Sequence, residues 1–401
     1  MKTTNFRNVK RILVIKLRHI GDVILSVPAF RALRENFPDS HIAALVNSGT
    51  EEVLSGNHLI DEIIIFDRDI KKMDLLHRYI RELSFIKTIR MKGFDMTVDL
   101  TSGDRAAIVS LLSGAQYRIA YSPKKEGLLA KRYLYTHLAK KQAGQHMVLQ
   151  NLEVVRQFGI DTKHEQLDFF IPKDTKMFVK KIFEKNNIKN PPSPPFNSPL
   201  TKGGYRGVKG GHRGVTIVHV HPTSRWLFKC WKDKYMAEVI RRLIDNKSKV
   251  IVTSSPEKHE MEKAKNILSL VDELTPPHIP PLVRGGIGGV IDLCGKTTIK
   301  QLAAIADASD IFIGVDSAPM HIAAAVGTPV IAIFGAGVKS WRPWCKRHVV
   351  LFKEAVSRKG IKRKEYIKEN LLQITPDDVM KEVQQLLIES KNLLPKFTEK
   401  K

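Results

Sequence analysis

The sequence predicts an α/β protein built from two facing Rossmann-like domains, on three observations. Strand-like apolar runs alternate with helix-spaced segments, the alternation restarts midway, and 401 residues are too many for one ordinary domain. Hydrophobic residues make up 43% of the chain, enough for a sizeable core in each unit. Alternating strands and helices imply βαβ units with right-handed crossovers, hence parallel sheets. Two such units facing each other place ligands in an interdomain cleft, at the carboxyl ends of the strands.

In order, Arg11 to Leu17 reads as the first strand, followed by a helix from Asp22 to Glu35 that stops near Pro38. Further strands are expected at His41 to Val46, Ile63 to Phe66 and Met96 to Leu100, with helical patterns at Leu75 to Ile89 and Asp104 to Leu112. The second unit opens with the strand "VTIVHV" at Val215 and a helix from Lys234 to Asn246, then "KVIVTS" and a helix from Glu257 to Ser269. It continues through "VIDLCG", a helix from Ile299 to Ala306, "IFIGVD", a short helix and "VIAIFG". The implied organisation is a first domain over 1–170, a linker over 171–214, a second domain over 215–352 and a helical tail over 353–401. The tail is charged and is expected to pack back on the first domain.

Two stretches interrupt the pattern. "SPLTKGGYRG" (Ser198 to Gly207) and "PPLVRGGIGG" (Pro280 to Gly289, within an insertion spanning 276–289) share P-L-x-[KR]-G-G-x-x-G. Neither follows a strand and opens a helix, as a phosphate-binding glycine loop requires. They read as surface insertions of one repeated element without catalytic role. The N-terminus "MKTTNFRNVKRILVIKL" has basic and apolar parts, but Lys16, Arg18 and His19 interrupt it and no small-residue cleavage site follows. It reads as a first strand of a non-secreted protein. No apolar run reaches the roughly 18 residues of a membrane span. Cys230, Cys294 and Cys345 lie too far apart for a metal motif and fit a reducing compartment. The formal net charge of +25 favours polyanions: nucleic acid, anionic membrane or a phosphorylated substrate. No helix-turn-helix, zinc-finger or aromatic RNA-binding signature selects nucleic acid.

Three segments carry candidate chemistry, all at expected strand ends. In "KLRHIGDVILSVPAF", Asp22 follows the first strand close to a helix start. It is either an N-cap or a carboxylate able to accept a proton from a hydroxyl. In "HVHPTSRWLFKCW", His221, Thr223, Ser224, Arg225 and Lys229 leave a strand end together. Hydroxyls and cations there suit phosphate oxygens. Alternatively, Thr223 and Ser224 cap a helix while Trp226, Phe228 and Trp231 fill the core. In "GVDSAPMHIAAAVGTP", Asp316 ends a strand, Ser317 can cap, Pro319 suits a first helical turn and His321 follows. That helix start is either an anion site or an ordinary cap with a packed histidine.

Together "RILVIKLRHIGDVILSVPAFRALRENFP", "HPTSRWLFKCW", "VTSSPEKHE" and "DSAPMHIAAAVGTPVIAIFG" resemble glycosyltransferase family 9, the heptosyltransferases of lipopolysaccharide core assembly. The combination of the second and fourth stretches looks most like the heptosyltransferase III branch. The resemblance spans Arg11 to Lys353, apart from the two insertions. It implies a GT-B fold and inverting transfer of heptose from ADP-heptose to a phosphorylated core acceptor, with no metal required. It further implies a cytoplasmic enzyme, peripheral at the cytoplasmic face of the inner membrane. Carried over by position, Asp22 would be the general base, and Thr223, Ser224 and Lys229 would face the diphosphate. Glu257 would lie near the ribose, and Asp316, Ser317 and His321 match the family's Asp-Thr-Gly-x-x-His donor loop. This chain departs there: Ser317 replaces Thr, which keeps the hydroxyl, and Ala318-Pro319 replace the Gly and its neighbour. Basic residues of the first domain, such as Lys71, Lys72, Arg78, Lys124, Lys125, Lys131 and Arg132, are expected to meet the anionic membrane. The alternatives are a family 9 enzyme using another nucleotide sugar or glycan acceptor, and an inactive nucleotide-sugar-binding protein.

Overall fold

The computed structural model describes residues 4–72, 74–123, 131–188, 215–274, 289–355 and 360–392. The repeated insertions therefore lie outside the described residues, apart from Gly289. The chain divides into two compact units, Met1–Phe170 and Ile171–Lys401.

The first unit contains β1 (Arg11–Lys16), α1 (Ile20–Ile24), α2 (Val27–Asn36), β2 (His41–Asn47), β3 (Glu62–Phe66) and α3 (Leu75–Met91). It continues with β4 (Met96–Asp99), α4 (Asp104–Leu112), β5 (Tyr117–Tyr121), β6 (His137–Ala139) and α5 (Met147–Arg156). Its six strands run in the order β3-β2-β1-β4-β5-β6, and every pairing is parallel. Central strands of such a sheet are covered on both faces, which explains why "RILVIK" and "HIAALVN" are almost continuously buried. The expected helix from Asp22 to Glu35 is two helices. Pro28 has no N–H and its ring crowds the carbonyl four residues back. The chain instead pauses at Leu25–Ser26, where the Ser26 hydroxyl donates to the Val23 carbonyl (2.6 Å), and restarts with proline in the first turn of α2.

The second unit comprises α6 (Lys173–Lys185), β7 (Ile217–His221), α7 (Asp233–Asp245), β8 (Lys249–Val252), α8 (Lys258–Glu273), β9 (Val290–Asp292) and α9 (Ile299–Asp307). Then come β10 (Ile311–Val315), α10 (Ala318–Ala325), β11 (Val330–Ile333), α11 (Val338–Trp341), β12 (His348–Leu351), α12 (Arg363–Leu372) and α13 (Pro376–Asn392). The strand order β12-β11-β10-β7-β8-β9 is again all parallel. Counted from its own first strand, this is the same 3-2-1-4-5-6 arrangement as in the first unit. Each sheet thus reverses direction of winding between its first and fourth strands, the place where doubly wound sheets open a crevice.

The C-terminal segment departs from expectation. Ile367, Leu371 and Ile374, then Val379, Val383 and Leu386, recur at helical spacing and are buried in the second unit's own core. The Trp231 indole N–H donates to the Ile374 carbonyl (3.2 Å), and the Asn370 amide donates to the Gly335 carbonyl (2.8 Å). α12 and α13 are therefore part of the second unit's own core.

Candidate functional site

In the first unit, β1 ends at Lys16 and the chain turns through His19 into α1. His19 occupies the N-cap position, so Asp22 lies inside the first helical turn and does not cap it. Below the turn, Lys16 is 1% exposed. Its Nζ donates to the Leu100 carbonyl (3.0 Å) and to Asn151 Oδ1 (2.8 Å). The Asn151 amide in turn donates to the Leu25 carbonyl (2.9 Å), which fixes the end of α1. Burial pushes the Lys16 ammonium down to about 8, and the charge of Asp22 is the main influence opposing it. Asp22 is therefore a half-exposed carboxylate backed by a buried cation, at the carboxyl end of the central strand.

In the second unit, β7 delivers His221 and then the buried Thr223 and Ser224. A single 3-10 turn, Leu227–Lys229, follows. No helix starts at Thr223 or Ser224, so the capping alternative does not apply to them. Only Trp231 of the nearby aromatics is fully buried, whereas Trp226 is 50% exposed. The turn projects Lys229 toward β10, where its Nζ donates to Asp316 Oδ2 at 2.7 Å. Burial raises the Asp316 carboxyl above its ordinary range, opposed by Lys229 and then Arg363. Ser317 is the N-cap residue of α10, but its side chain caps nothing; its Oγ is buried and without a hydrogen-bond partner. Pro319 occupies the first turn and His321 is 3% exposed inside the helix. Glu257, at the N-cap position of α8, is exposed; its side chain makes no capping bond and its backbone N–H donates to Ser255 Oγ (3.2 Å). It follows β8 on the same edge of the sheet but makes no bond to the Lys229–Asp316 pair.

A small pocket opens around that pair, lined by Gly335, Ala336, Gly337, Trp341 and Arg363. Gly337 has φ +78, and a Cβ on Gly335 would meet the Ile367 carbonyl oxygen at 2.6 Å. Both glycines are therefore required by the close passage of α12 and by the turn into α11. Sequence reasoning missed Arg363 and Lys16. Arg363 belongs to α12, more than a domain's core away in sequence, and nothing local marks it. Lys16 carries a readable signal: it is the one charge inside an apolar run bound for a central strand. Among the described residues, no group of three or more His, Cys, Asp or Glu could hold a metal ion, and no helix is long and apolar enough to cross a membrane.

Behind the loop lies a buried relay. The Thr253 hydroxyl contacts His219 Nε2 (2.8 Å) and His221 Nδ1 (2.9 Å), and His221 Nε2 reaches Thr223 Oγ1 (3.4 Å). One hydroxyl can accept from one imidazole and donate to the other, so the arrangement suits two neutral rings. Burial holds His221 down to about 3, and His219 well below its ordinary value. In the unfolded chain these rings bind protons from near pH 6.5 downward. The unfolded state then holds more protons than the native one, so stability is full above about pH 6.5 and is lost as pH falls toward 3. Urea titrations at successive pH values should show a decline approaching roughly 1.4 kcal/mol per pH unit for each ring. His221→Asn should flatten part of that slope; an unchanged slope would remove the relay as its cause.

The family model described as glycosyltransferase family 9 (heptosyltransferase) matches residues 82–370. Lipopolysaccharide heptosyltransferase 3 of Escherichia coli is 30% identical over 329 residues, covering 82% of this chain and 84% of that protein. The lipopolysaccharide core heptosyltransferase OpsX of Haemophilus influenzae is 24% identical over 330 residues, 81% of this chain and 79% of its own. Among solved structures, a family 9 glycosyl transferase from Veillonella parvula aligns with a TM-score of 0.72 at 21% identity, over 95% of this chain and 97% of that one. E. coli heptosyltransferase WaaC with ADP aligns with a TM-score of 0.67 at 18% identity, over 94% and 99% of the two chains. The fold class is therefore α/β with GT-B architecture, as the sequence resemblance implied. With most of its length matched by the family model and by a relative 30% identical to it, the chain belongs to glycosyltransferase family 9, the heptosyltransferase family, and is a glycosyltransferase.

Proposed function

We propose that the protein transfers heptose from ADP-heptose to the inner core of lipopolysaccharide by a single inverting displacement. The observation that carries this reading is the Lys229–Asp316 pair, 2.7 Å apart, Lys229 from the turn after β7 and Asp316 at the carboxyl end of β10, with Arg363 in the same pocket and the unpartnered Ser317 hydroxyl on the next residue of the loop. Two cations and an uncommitted hydroxyl at the winding reversal of a parallel sheet suit the diphosphate of a nucleotide sugar. Asp316 supplies an acceptor for sugar hydroxyls, and His321 supports the same loop from within α10. Thr223 and Ser224 shape the loop beside the diphosphate, and Glu257 takes the ribose side.

In this mechanism Asp22 accepts the proton of the acceptor hydroxyl as its oxygen attacks the anomeric carbon. The bond from that carbon to the diphosphate oxygen breaks, and ADP leaves with the electron pair. Charge then grows on the diphosphate, where Lys229 and Arg363 are already placed to stabilise it. The acceptor is a phosphorylated glycolipid, met at the cytoplasmic face of the inner membrane. Incubation with ADP-heptose and a truncated, phosphorylated core acceptor should release ADP and add one heptose to the product mass. Proton NMR should show the opposite anomeric configuration from the donor. Retained configuration would exclude the displacement, and no ADP release with heptosylatable core would exclude the substrate pair.

A further inference from the structure

We propose that α3 is a membrane-docking helix, which lays a second, solvent-facing apolar stripe into an anionic lipid leaflet. One face of α3 is ordinary core: Phe85, Ile86 and Ile89 pack on the first unit's sheet, and Phe85 meets the Phe66 ring edge-on at 5.3 Å. The other face is the anomaly. Leu76 (66% exposed), Tyr79 (66%), Ile80 (54%) and Leu83 (54%) stand at i, i+3, i+4 and i+7, so they form one stripe pointing away from the core. A helix that buries one stripe needs no second one for folding, and a contiguous exposed apolar stripe marks an interaction surface.

The charge around the stripe selects the partner. Arg81, Lys87 and Arg90 are exposed on the same helix. Its one carboxylate, Glu82, is already paired with Arg78 (3.4 Å) and Arg105 (3.0 Å). The capping Asp74 is bound to His77 (2.6 Å) and to the first backbone N–H groups. A second copy of this face would bring cations to cations with no carboxylate on the helix left to answer them. An anionic headgroup layer answers them, while its acyl boundary takes the Leu, Ile and Tyr side chains. This helix, more than the scattered lysines of the first unit, would then bring the enzyme to a lipid-borne acceptor. The inference rests on the proposed function only for the acceptor being a membrane lipid.

Vesicle flotation of the full chain tests it without donor or acceptor, so its outcome is independent of transfer. Wild-type protein should float with vesicles of phosphatidylcholine containing about one third phosphatidylglycerol, with an apparent affinity at least about tenfold above that for pure phosphatidylcholine. A triple variant, Leu76→Ser, Ile80→Ser and Leu83→Ser, should lose about tenfold of that affinity. It should keep its thermal unfolding midpoint and its transfer to a delipidated, water-soluble core oligosaccharide. Lys87→Gln with Arg90→Gln should shrink the preference for anionic over neutral vesicles. Equal flotation by wild type and the triple variant, or no flotation at all, would overturn the proposal. So would a wild-type dimer in sedimentation that the triple variant dissociates. Flotation as expected from a protein inactive on ADP-heptose would instead leave the docking helix standing and sink the substrate assignment.

Discussion

Asp22→Asn is expected to lower heptosyl transfer by about 10²- to 10⁴-fold while ADP binding is retained. A sugar hydroxyl is a weak nucleophile near neutral pH, so losing a positioned proton acceptor raises the barrier of the attack itself. The carboxamide matches the carboxylate in shape, and Asp22 is neither a cap nor a core side chain, so the helix it sits in should persist. All proposed donor contacts belong to the second unit, which is why calorimetric ADP affinity should change little. A second consequence is electrostatic. Asp22 is the main charge holding up the proton affinity of Lys16, so its neutralisation should move the Lys16 titration further below about 8. Single-turnover rates with product mass readout decide the matter: a variant within a few-fold of wild type would take the base role from Asp22.

Lys229→Ala is expected to reduce kcat/KM for the nucleotide sugar by about 10²- to 10³-fold, the magnitude typical of removing one preplaced charge from a developing oxyanion. It also leaves Asp316, 15% exposed, without its 2.7 Å partner. The Asp316 carboxyl is already raised by burial, and Lys229 is the first influence opposing that rise. Unpaired, it will take up a proton more readily, and the variant should lose about 1–3 kcal/mol of stability. The double variant Lys229→Ala with Asp316→Asn separates the two effects. Stability should largely return, because no buried charge is orphaned, whereas activity should stay low, because the diphosphate still lacks its cation. Recovery of activity together with stability would show that the pair serves folding and not the donor.

How much of this was legible beforehand depends on how local each feature is. Most strands of both sheets announce themselves as apolar runs because parallel central strands are buried on two faces, but β5, "YRIAY", does not, since tyrosines and an arginine interrupt its apolar pattern. Nor do the short edge strands β6 and β12: at three and four residues they are too brief to show a pattern, and Ala139 alone among their side chains is fully buried. Helix α1 was merged with α2 because apolar spacing continues across the break that Pro28 enforces. The donor-side residues Lys229, Asp316, Ser317 and His321 were readable as sites, since each follows a strand whose end is visible in the sequence. Their bonding was not, because an 87-residue separation lies between the ammonium and the carboxylate it holds.

The sequence by itself determined the α/β class, the positions of Asp22, Lys229 and Asp316 at strand ends, and the family. These follow from local periodicity and short motifs, which need no knowledge of what lies opposite. The tertiary structure alone decided which charges meet. It placed Arg363 of α12 in the Lys229–Asp316 pocket, put Lys16 beneath Asp22 and turned the Leu76-to-Leu83 stripe of α3 outward. Each of these depends on the packing of segments far apart in the chain, and a periodic pattern shows that a face is apolar without showing what covers it.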